Sequence, residues 1–252
     1  MVELFAPRRG ERVIEIGPGR GVLTELLLAA GASVTAVEVD PHLVDLLSAR
    51  FQHEPEFRLI KADVLKCDIA LLAGGLPARV LANLPYSITG EVLVRLFAAA
   101  CALTAMTLML QREVVNRLVA PPGGRVYGSL SVLTQYFTLP RGVMTLAPGS
   151  FTPPPAVSSA VVSMPFRASR EMTAALEREY PVFIRMLLAH RRRTLLNNLR
   201  AAAATGLAGA PASDPTRLLH DAGIDPARRP ETLSRLEALR LFEVCRAARG
   251  SF

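Results

Sequence analysis

Tryptophan is absent from the 252-residue sequence, and lysine is nearly so, with two copies against 27 arginines. The three cysteines lie far apart, so they form neither a zinc-knuckle spacing nor a disulfide framework. There is no run of about 20 apolar residues that could cross a bilayer, and the first residues lack the apolar segment of a signal peptide. These absences predict a cytoplasmic protein with no membrane partner and no metal site.

The positive charge is unevenly distributed along the chain. Residues 170–252 contain 14 arginines and 9 acids, whereas residues 1–169 contain 15 basic residues and 13 acids. Because arginine offers a fixed fork to phosphates, this excess favours a polyanionic partner such as RNA. A genome rich in arginine codons is the alternative explanation, and the charge alone does not separate the two.

Short apolar runs alternate with helical patterns over the first 110 residues, which predicts βαβ units and a parallel sheet. Two later strand candidates, Val143–Leu146 and Ala160–Phe166, have no helix between them and predict an antiparallel pair at a sheet edge. The C-terminal third is helical throughout. Its predicted helices are Glu171–Glu179, Val182–Leu199, Pro215–Ala222 and Glu231–Arg246. We therefore predict an α/β domain over residues 1–169 and a small all-α domain over residues 170–252.

A glycine-rich turn follows the first predicted strand, Arg12–Ile16. Gly17, Gly19 and Gly21 are spaced G-x-G-x-G, and glycines there let the backbone turn tightly and a ligand approach it. Dinucleotide-binding proteins use G-x-G-x-x-G, so a nicotinamide dehydrogenase is the weakest interpretation. A plain strand-to-helix turn is the structural alternative. Glu15 stands two residues before Gly17 and is predicted to belong to the same cofactor site.

Polar residues also end the next three predicted strands: Glu38, Asp63 and Asn83. Because the carboxyl ends of parallel strands face one crevice, we expect these residues to lie near Gly17. Glu38 suits the two hydroxyls of a ribose, and Asp63 suits the exocyclic amine of a purine. The pattern predicts S-adenosylmethionine as cofactor, with its amino-acid end over the glycines.

The fourth strand leads into the sequence Asn83-Leu84-Pro85-Tyr86. An adenine amine is a poor nucleophile, and a catalyst can help by accepting hydrogen bonds from both amine protons. The Asn83 side-chain oxygen and the Leu84 main-chain oxygen suit this task. Pro85 fixes the backbone, and Tyr86 offers a stacking face for the base. The alternative is a turn in which Asn83 caps a helix and Tyr86 packs.

Longer stretches carry a family resemblance: EIGPGRGVLT, AVEVD, KADVL, NLPYSIT, FTPPPAVSSAVV, HRRRTLLNNL and GIDPARRPETLS. Over nearly the whole chain they resemble the bacterial small-subunit ribosomal RNA adenine dimethyltransferases. The resemblance implies a Rossmann-like class I methyltransferase sheet followed by a small helical domain. It assigns Gly17, Glu38, Asp63 and Asn83 to S-adenosylmethionine. The segments FTPPPAVSSAVV and GIDPARRPETLS favour the small-subunit enzymes over their large-subunit, antibiotic-resistance relatives.

The resemblance also implies the reaction: transfer of four methyl groups from S-adenosylmethionine to N6 of two adjacent adenines. These adenines lie in a hairpin near the 3′ end of 16S ribosomal RNA, in an assembling small subunit. The family pattern usually begins with a basic segment containing a GQ(H/N)FL-like motif that closes over the cofactor, and this sequence starts after that motif. Ser158 replaces a usual Asp, which we expect the function to tolerate.

Further residues are candidates for RNA contact. Arg191, Arg192 and Arg193 fall within the predicted helix Val182–Leu199 and would meet phosphates, unless they form an ordinary solvated face. Phe151 precedes three prolines and is a candidate stacking face for a flipped adenine, or else a buried anchor. We expect the protein to act as a monomer.

Two other functions fit parts of this pattern. A ribosome-assembly binding factor with little catalysis would explain the basic C-terminal helices. A DNA adenine or protein glutamine methyltransferase would also use an amide–proline motif at the fourth strand, although such enzymes more often carry a second proline at the position of Leu84.

Overall fold

The structure is a computed structural model that describes residues 1–150, 156–205 and 213–248. Its strands are β1 (Arg12–Ile16), β2 (Ser33–Glu38), β3 (Phe57–Lys61), β4 (Ala78–Asn83), β5 (Leu103–Gln111), β6 (Arg141–Leu146) and β7 (Ser159–Pro165). Its α-helices are α1 (Val2–Phe5), α2 (Val22–Ala29), α3 (Pro41–Arg50), α4 (Ile69–Leu72), α5 (Thr89–Ala98), α6 (Arg112–Val119), α7 (Ser129–Phe137), α8 (Ala174–Leu187), α9 (Leu195–Thr205), α10 (Pro215–Asp221) and α11 (Arg235–Ala247). None of the helices in these ranges is long and apolar enough to span a bilayer.

One seven-stranded sheet has the order β3-β2-β1-β4-β5-β7-β6. The first five strands in this order pair in parallel, whereas β7 runs antiparallel to both β5 and β6. The predicted α/β fold with an antiparallel edge pair is therefore confirmed. The strand order reverses at β1, which lies between β2 and β4, and such a reversal opens a crevice beyond the carboxyl ends of the strands.

The central strands are apolar because helices cover both faces of the sheet. Strand β1 is buried after its first residue and β4 is mostly buried, while the outer strand β3 is only partly covered. A core cluster joins Val13, Val34 and Leu81 of three neighbouring strands to Leu27 of α2 and Phe5 of α1. The sheet is thus a fixed frame for the loops at its rim.

Two compact units make up the chain. The first comprises residues 1–115 and 138–167, and the second comprises residues 116–137 together with the described residues from Ala168 onward. The division before Ala168 lies close to the predicted boundary at 169/170. The grouping of residues 116–137 with the second unit differs from that prediction.

Buried tyrosines explain why residues 116–137 belong to the second unit. The Tyr127 hydroxyl donates to the Leu233 carbonyl at 2.8 Å, and the Tyr136 hydroxyl donates to the Glu177 carboxylate at 3.1 Å. The rings of Tyr136 and Tyr180 lie 5.0 Å apart, and all three tyrosine side chains are fully buried. Burial of such large rings contributes strongly to a core. Helix α7 therefore packs with the C-terminal helices α8 and α11.

All four predicted C-terminal helices differ in their bounds from the observed ones, and the first two differ most. Helix α8 continues through Pro181, where the sequence predicted a break, and it ends at Leu187. Helix α9 begins only at Leu195, so the predicted helix Val182–Leu199 is wrong in its centre. The intervening residues form a turn, in which the Arg193 amide donates to the His190 carbonyl at 3.1 Å.

Arg79 of β4 anchors the N-terminal helix to the sheet. Its guanidinium donates to the Phe5 carbonyl and to the Glu11 carboxylate (3.1 Å), and it stacks over the Phe5 ring at 3.8 Å.

We expect Arg79→Met to lower the unfolding free energy by about 1–3 kcal/mol, because it removes these charged hydrogen bonds and the cation–π contact. Urea unfolding measures this. Arg58→Met on β3, an exposed site, is the matched control, and equal losses in both variants would contradict the prediction.

Candidate active site

The carboxyl ends of β1, β2 and β4 lie side by side. The Gly17 amide, just after β1, donates to the Val37 carbonyl of β2 at 3.0 Å. A Cβ placed on Gly17 would lie 3.8 Å from the Asn83 carbonyl oxygen of β4. The structure therefore brings Gly17 between the ends of its two neighbouring strands.

The three predicted glycines all adopt the left-handed conformation, with φ of 67° at Gly17, 59° at Gly19 and 80° at Gly21. Other residues rarely adopt it without strain. A Cβ on Gly21 would lie 2.6 Å from the Phe51 ring and 2.9 Å from Leu47, so Gly21 is needed for packing. A Cβ on Gly19 would meet no atom of the described residues within 4 Å. The backbone at Gly19 is therefore open to the approach of another molecule.

Glu38, the last residue of β2, is buried and connects this turn to the second strand. Its Oε1 accepts hydrogen bonds from the amides of Val39 (2.8 Å) and Asp40 (3.0 Å), and its Oε2 accepts one from the Gly19 amide (3.4 Å). A carboxylate has about four acceptor positions. Glu38 thus fixes the glycine turn, and its carboxylate can still accept a hydrogen bond from one more donor.

Asp63 does not end a strand, as the sequence predicted, but lies two residues after β3. Its Oδ1 accepts a hydrogen bond from the Leu65 amide at 2.9 Å and caps a short 3-10 helix, Val64–Lys66. The strand ends earlier because its last pairing is that of Lys61 with Glu38. The Ala62 amide still donates to the Glu38 carbonyl at 2.9 Å, which keeps Asp63 close to the end of β2.

Asn83 is the last residue of β4, and its side chain is exposed. It pairs with Met109 of β5, and the Leu84 amide donates to the Met109 carbonyl at 3.3 Å. Pro85 begins a 3-10 helix, and Ile88 precedes α5. Asn83 therefore caps neither helix, which excludes the structural alternative raised from the sequence for this residue. Its backbone carbonyl lies next to the glycine turn, at the carboxyl end of the strand.

Glu15, inside β1, has a side chain only 1% exposed. Its Oε2 accepts a hydrogen bond from the Thr24 hydroxyl of α2 at 2.6 Å. Burial raises the pKa of its carboxyl from 4.5 to about 7, while the hydrogen bond from Thr24 acts in the opposite direction. Glu15 therefore joins the strand before the glycine turn to the helix after it. Thr24 was missed by the sequence analysis, because a threonine in a first helical turn carries no distinctive signal.

Other predicted site residues lie elsewhere or are not described. Arg191, Arg192 and Arg193 lie in the second unit, exposed in the turn between α8 and α9 rather than on a helix. The Asn198 side chain donates to the His190 carbonyl at 3.1 Å, and the Thr194 hydroxyl accepts from the Asn197 amide at 3.3 Å, so α9 starts after the arginines. Only the backbone of Tyr86 is described, in the 3-10 helix. Phe151 lies outside the described residues.

Within the described ranges, the acids, histidines and cysteines form no group of three that could hold a metal ion. Ser158 contributes its carbonyl, which accepts from the Arg112 amide at 3.0 Å.

Comparisons with known proteins agree with this arrangement. The family model described as ribosomal RNA adenine dimethylase matches residues 2–241. A relative from Geobacter sulfurreducens, ribosomal RNA small subunit methyltransferase A, is 40% identical over 252 residues, covering 98% of this chain and 90% of its own. The protein of the same name from Chromohalobacter salexigens is 38% identical over 250 residues, covering 96% and 83%.

Two solved structures share the fold over most of the chain. A dimethyladenosine transferase from Plasmodium falciparum has a TM-score of 0.76 at 21% identity, covering 95% of this chain and 91% of its own. The 23S rRNA methyltransferase ErmE has a TM-score of 0.69 at 22% identity, covering 97% and 95%. The class I methyltransferase fold predicted from the sequence is thereby confirmed.

The raised pKa of Glu15 predicts a pH-dependent stability. A carboxyl whose pKa is higher in the folded state contributes stability that is complete below pH 4.5 and is lost as the pH rises through about 7. Glu15→Gln cannot titrate. We therefore expect its unfolding free energy, relative to wild type, to rise by about 1 kcal/mol between pH 6 and pH 8. Urea unfolding at both pH values measures this difference.

The exposed Glu25 of α2 supplies the control, because its carboxylate pairs with Arg50 at the surface. Glu25→Gln is expected to follow the wild-type pH profile. A Glu15→Gln profile parallel to that of wild type would show that Glu15 is already ionised in the folded protein.

Proposed function

The chain belongs to the ribosomal RNA adenine dimethylase family, and we propose that it transfers methyl groups from S-adenosylmethionine to N6 of two adjacent adenines in small-subunit ribosomal RNA. The adenines we propose are those of the hairpin near the 3′ end of 16S RNA, in an assembling subunit. The observation that carries this proposal is the position of Asn83 at the strand-order reversal, where the residue is exposed and its backbone carbonyl lies next to an open glycine turn. That the enzyme is cytoplasmic and monomeric remains a prediction.

The residues around the turn fit the proposed cofactor. The open backbone at Gly19 leaves room for its amino-acid end. Glu38, with acceptor capacity left, would bind the ribose hydroxyls, and Asp63 would bind the adenine amine. S-adenosylmethionine supplies, when bound, a methyl group already activated on a sulfonium. The protein therefore has to align the groups that react and needs no strong general base.

Asn83 and Leu84 would hold the target amine. Two oxygen acceptors, the Asn83 side chain and the Leu84 carbonyl, would take hydrogen bonds from both amine protons and direct the nitrogen lone pair. Such fixed dipoles stabilise the charge that develops on the nitrogen more than they stabilise the ground state. Pro85 fixes the backbone after them, with φ −56°. Tyr86 and Phe151 are proposed to stack on the flipped base.

The exposed arginine turn of the second unit would bind RNA. Arg191, Arg192 and Arg193 are adjacent and exposed, and the sequence has no acid between Glu179 and Asp214. Phosphate groups of RNA would neutralise them. The same exposed turn also supports the second candidate, a ribosome-assembly binding factor with little catalysis. An assay of methyl transfer distinguishes the methyltransferase from the assembly factor.

Methyl transfer is tested with labelled S-adenosylmethionine and small subunits that lack the modification. We expect label in N6,N6-dimethyladenosine at the two hairpin adenines. Asn83→Ala is expected to lower the rate roughly 100-fold or more, because it removes one acceptor from the amine site, while binding to the subunits is retained. Ser87→Ala, at an exposed neighbouring position, is the control.

Subunit binding without labelling by the wild-type protein would favour the assembly factor. Labelling of duplex DNA or of glutamine, but not of the subunits, would favour the other amine methyltransferases. If Asn83→Ala lost methylation and subunit binding together, Asn83 would be structural.

The arginine turn makes a separate prediction about RNA affinity. Replacing Arg191, Arg192 and Arg193 with Gln should weaken binding to 16S RNA and reduce the slope of log affinity against log salt by about 1 for each phosphate that the turn no longer neutralises. Filter binding at several salt concentrations measures this. A control with the same charge change replaces the exposed Arg178, Arg217 and Arg240 of α8, α10 and α11. Equal slopes in the two triple variants would show that the turn has no special role.

A further inference from the structure

The buried carboxyl of Glu15 has one oxygen with no hydrogen-bond partner in the part of the chain that the structure describes. This atom is Oε1, whereas Oε2 accepts from Thr24. Buried polar atoms without a partner are rare and require an explanation. A neutral acid explains the orphan oxygen better than a carboxylate would, since an unpaired buried charge costs far more than an unpaired neutral group.

Among the described residues, no neighbouring charge neutralises Glu15. In the sheet it pairs with Ala36 of β2 and Leu81 of β4, neither of which titrates. The charged residues on the elements around it are Arg12, Arg20, Glu25, Glu38 and Arg79. Arg12 donates to the carbonyls of Ala73 and Gly74, Arg79 pairs with Glu11, and Glu25 pairs with Arg50. Arg20 is exposed to solvent, and Glu38 carries the same sign of charge.

The position of Glu15 links it to the glycine turn from both sides. It precedes Gly17 by two residues in β1, and through Thr24 it contacts the helix that follows Gly21. A cation bound over this turn would therefore lie near a buried acid that is not already paired with a basic group of the described chain. Positive charge near an acid favours its ionised form.

We propose that Glu15 couples cofactor binding to the release of one proton. The inference rests on the proposed function, because S-adenosylmethionine brings a sulfonium, an ammonium and a carboxylate to the turn and therefore a net positive charge. Below about pH 7, Glu15 is a neutral acid in the free protein and a carboxylate in the complex. Its O–H bond breaks, the electron pair stays on the carboxylate, and the proton passes to solvent. Glu15 acts as a positioning residue, since the new charge attracts the cofactor without taking part in methyl transfer.

Isothermal titration calorimetry of the full chain with S-adenosylmethionine tests this, in buffers of different ionisation enthalpy at pH 6, 7 and 8. The dependence of the binding heat on buffer gives the number of protons released. We expect release to approach about one proton at pH 6, about one half at pH 7 and nearly none at pH 8. No proton release at pH 6, with clear binding heat, would overturn the proposal.

Probes of lower charge sharpen the test. Methylthioadenosine keeps the nucleoside but has neither the sulfonium nor the ammonium, so we expect it to bind without proton release. S-adenosylhomocysteine keeps the ammonium and the carboxylate but lacks the sulfonium, and it is expected to release fewer protons than S-adenosylmethionine at the same pH. Equal release with all three ligands would assign the proton to another group and reject Glu15.

Two variants identify the group. Glu15→Gln should bind S-adenosylmethionine without proton release, and its affinity loss relative to wild type should grow as the pH rises from 6 to 8, whereas a packing effect would be the same at each pH. Glu25→Gln should release protons as wild type does. Proton release that persists in Glu15→Gln contradicts the proposal; if this variant did not fold, the wild-type pH profile with the three ligands decides. Absence of binding by wild type at any pH would instead count against the proposed cofactor.

Discussion

The pairing of β1 with both β2 and β4 is the constraint on which the first unit depends. The connection after β1 leads to β2 and the connection after β4 leads to β5, on opposite sides, so the loops after these two strands diverge and leave a crevice at the carboxyl ends. Gly17 lies at the base of that crevice, bonded to Val37 and close to the Asn83 carbonyl. Any other neighbour for β1 would separate Glu38 from Asn83, although each residue would still end its own strand.

The sequence predicted these strand ends because each one shows a change from apolar to polar or glycine residues. It could not predict side-chain partners, which depend on the distance between segments. Glu38 was expected to face a ligand, and it also bonds to the Gly19 amide across the sheet rim. The third strand was predicted to extend to Asp63 because the sequence IKAD contains no turn residue that would end the strand at Lys61. Strand β3 ends at Lys61 because its partner β2 ends at Glu38, and Asp63 then caps the 3-10 helix that follows.

Prediction was less successful in the second unit because its packing joins distant segments. Arg191–Arg193 looked helical, since arginine has good helix propensity and apolar residues flank the run at helical spacing. A threonine followed by LLNNL is, however, a helix-start pattern. The Thr194 hydroxyl accepts from the Asn197 amide and the Asn198 side chain donates to the His190 carbonyl, so a new helix starts after the turn. The grouping of Tyr127 and Tyr136 with Tyr180 has no local signal at all. Long-range aromatic packing of this kind becomes visible only in the folded chain.

Glu15 and Glu38 show why two acids beside one glycine turn need not do the same work. Both are buried near strand ends, and the sequence assigned both to one cofactor. Glu38 receives three backbone amides, whereas Glu15 receives one hydroxyl and has an oxygen without a partner in the described structure. Backbone amides are fixed donors, so Glu38 holds the turn in shape before any ligand arrives. Glu15 lacks such donors, and the energy of charging it depends on what binds beside it. Glu38 thus fixes the shape of the turn, whereas the ionisation of Glu15 depends on the charge bound beside it.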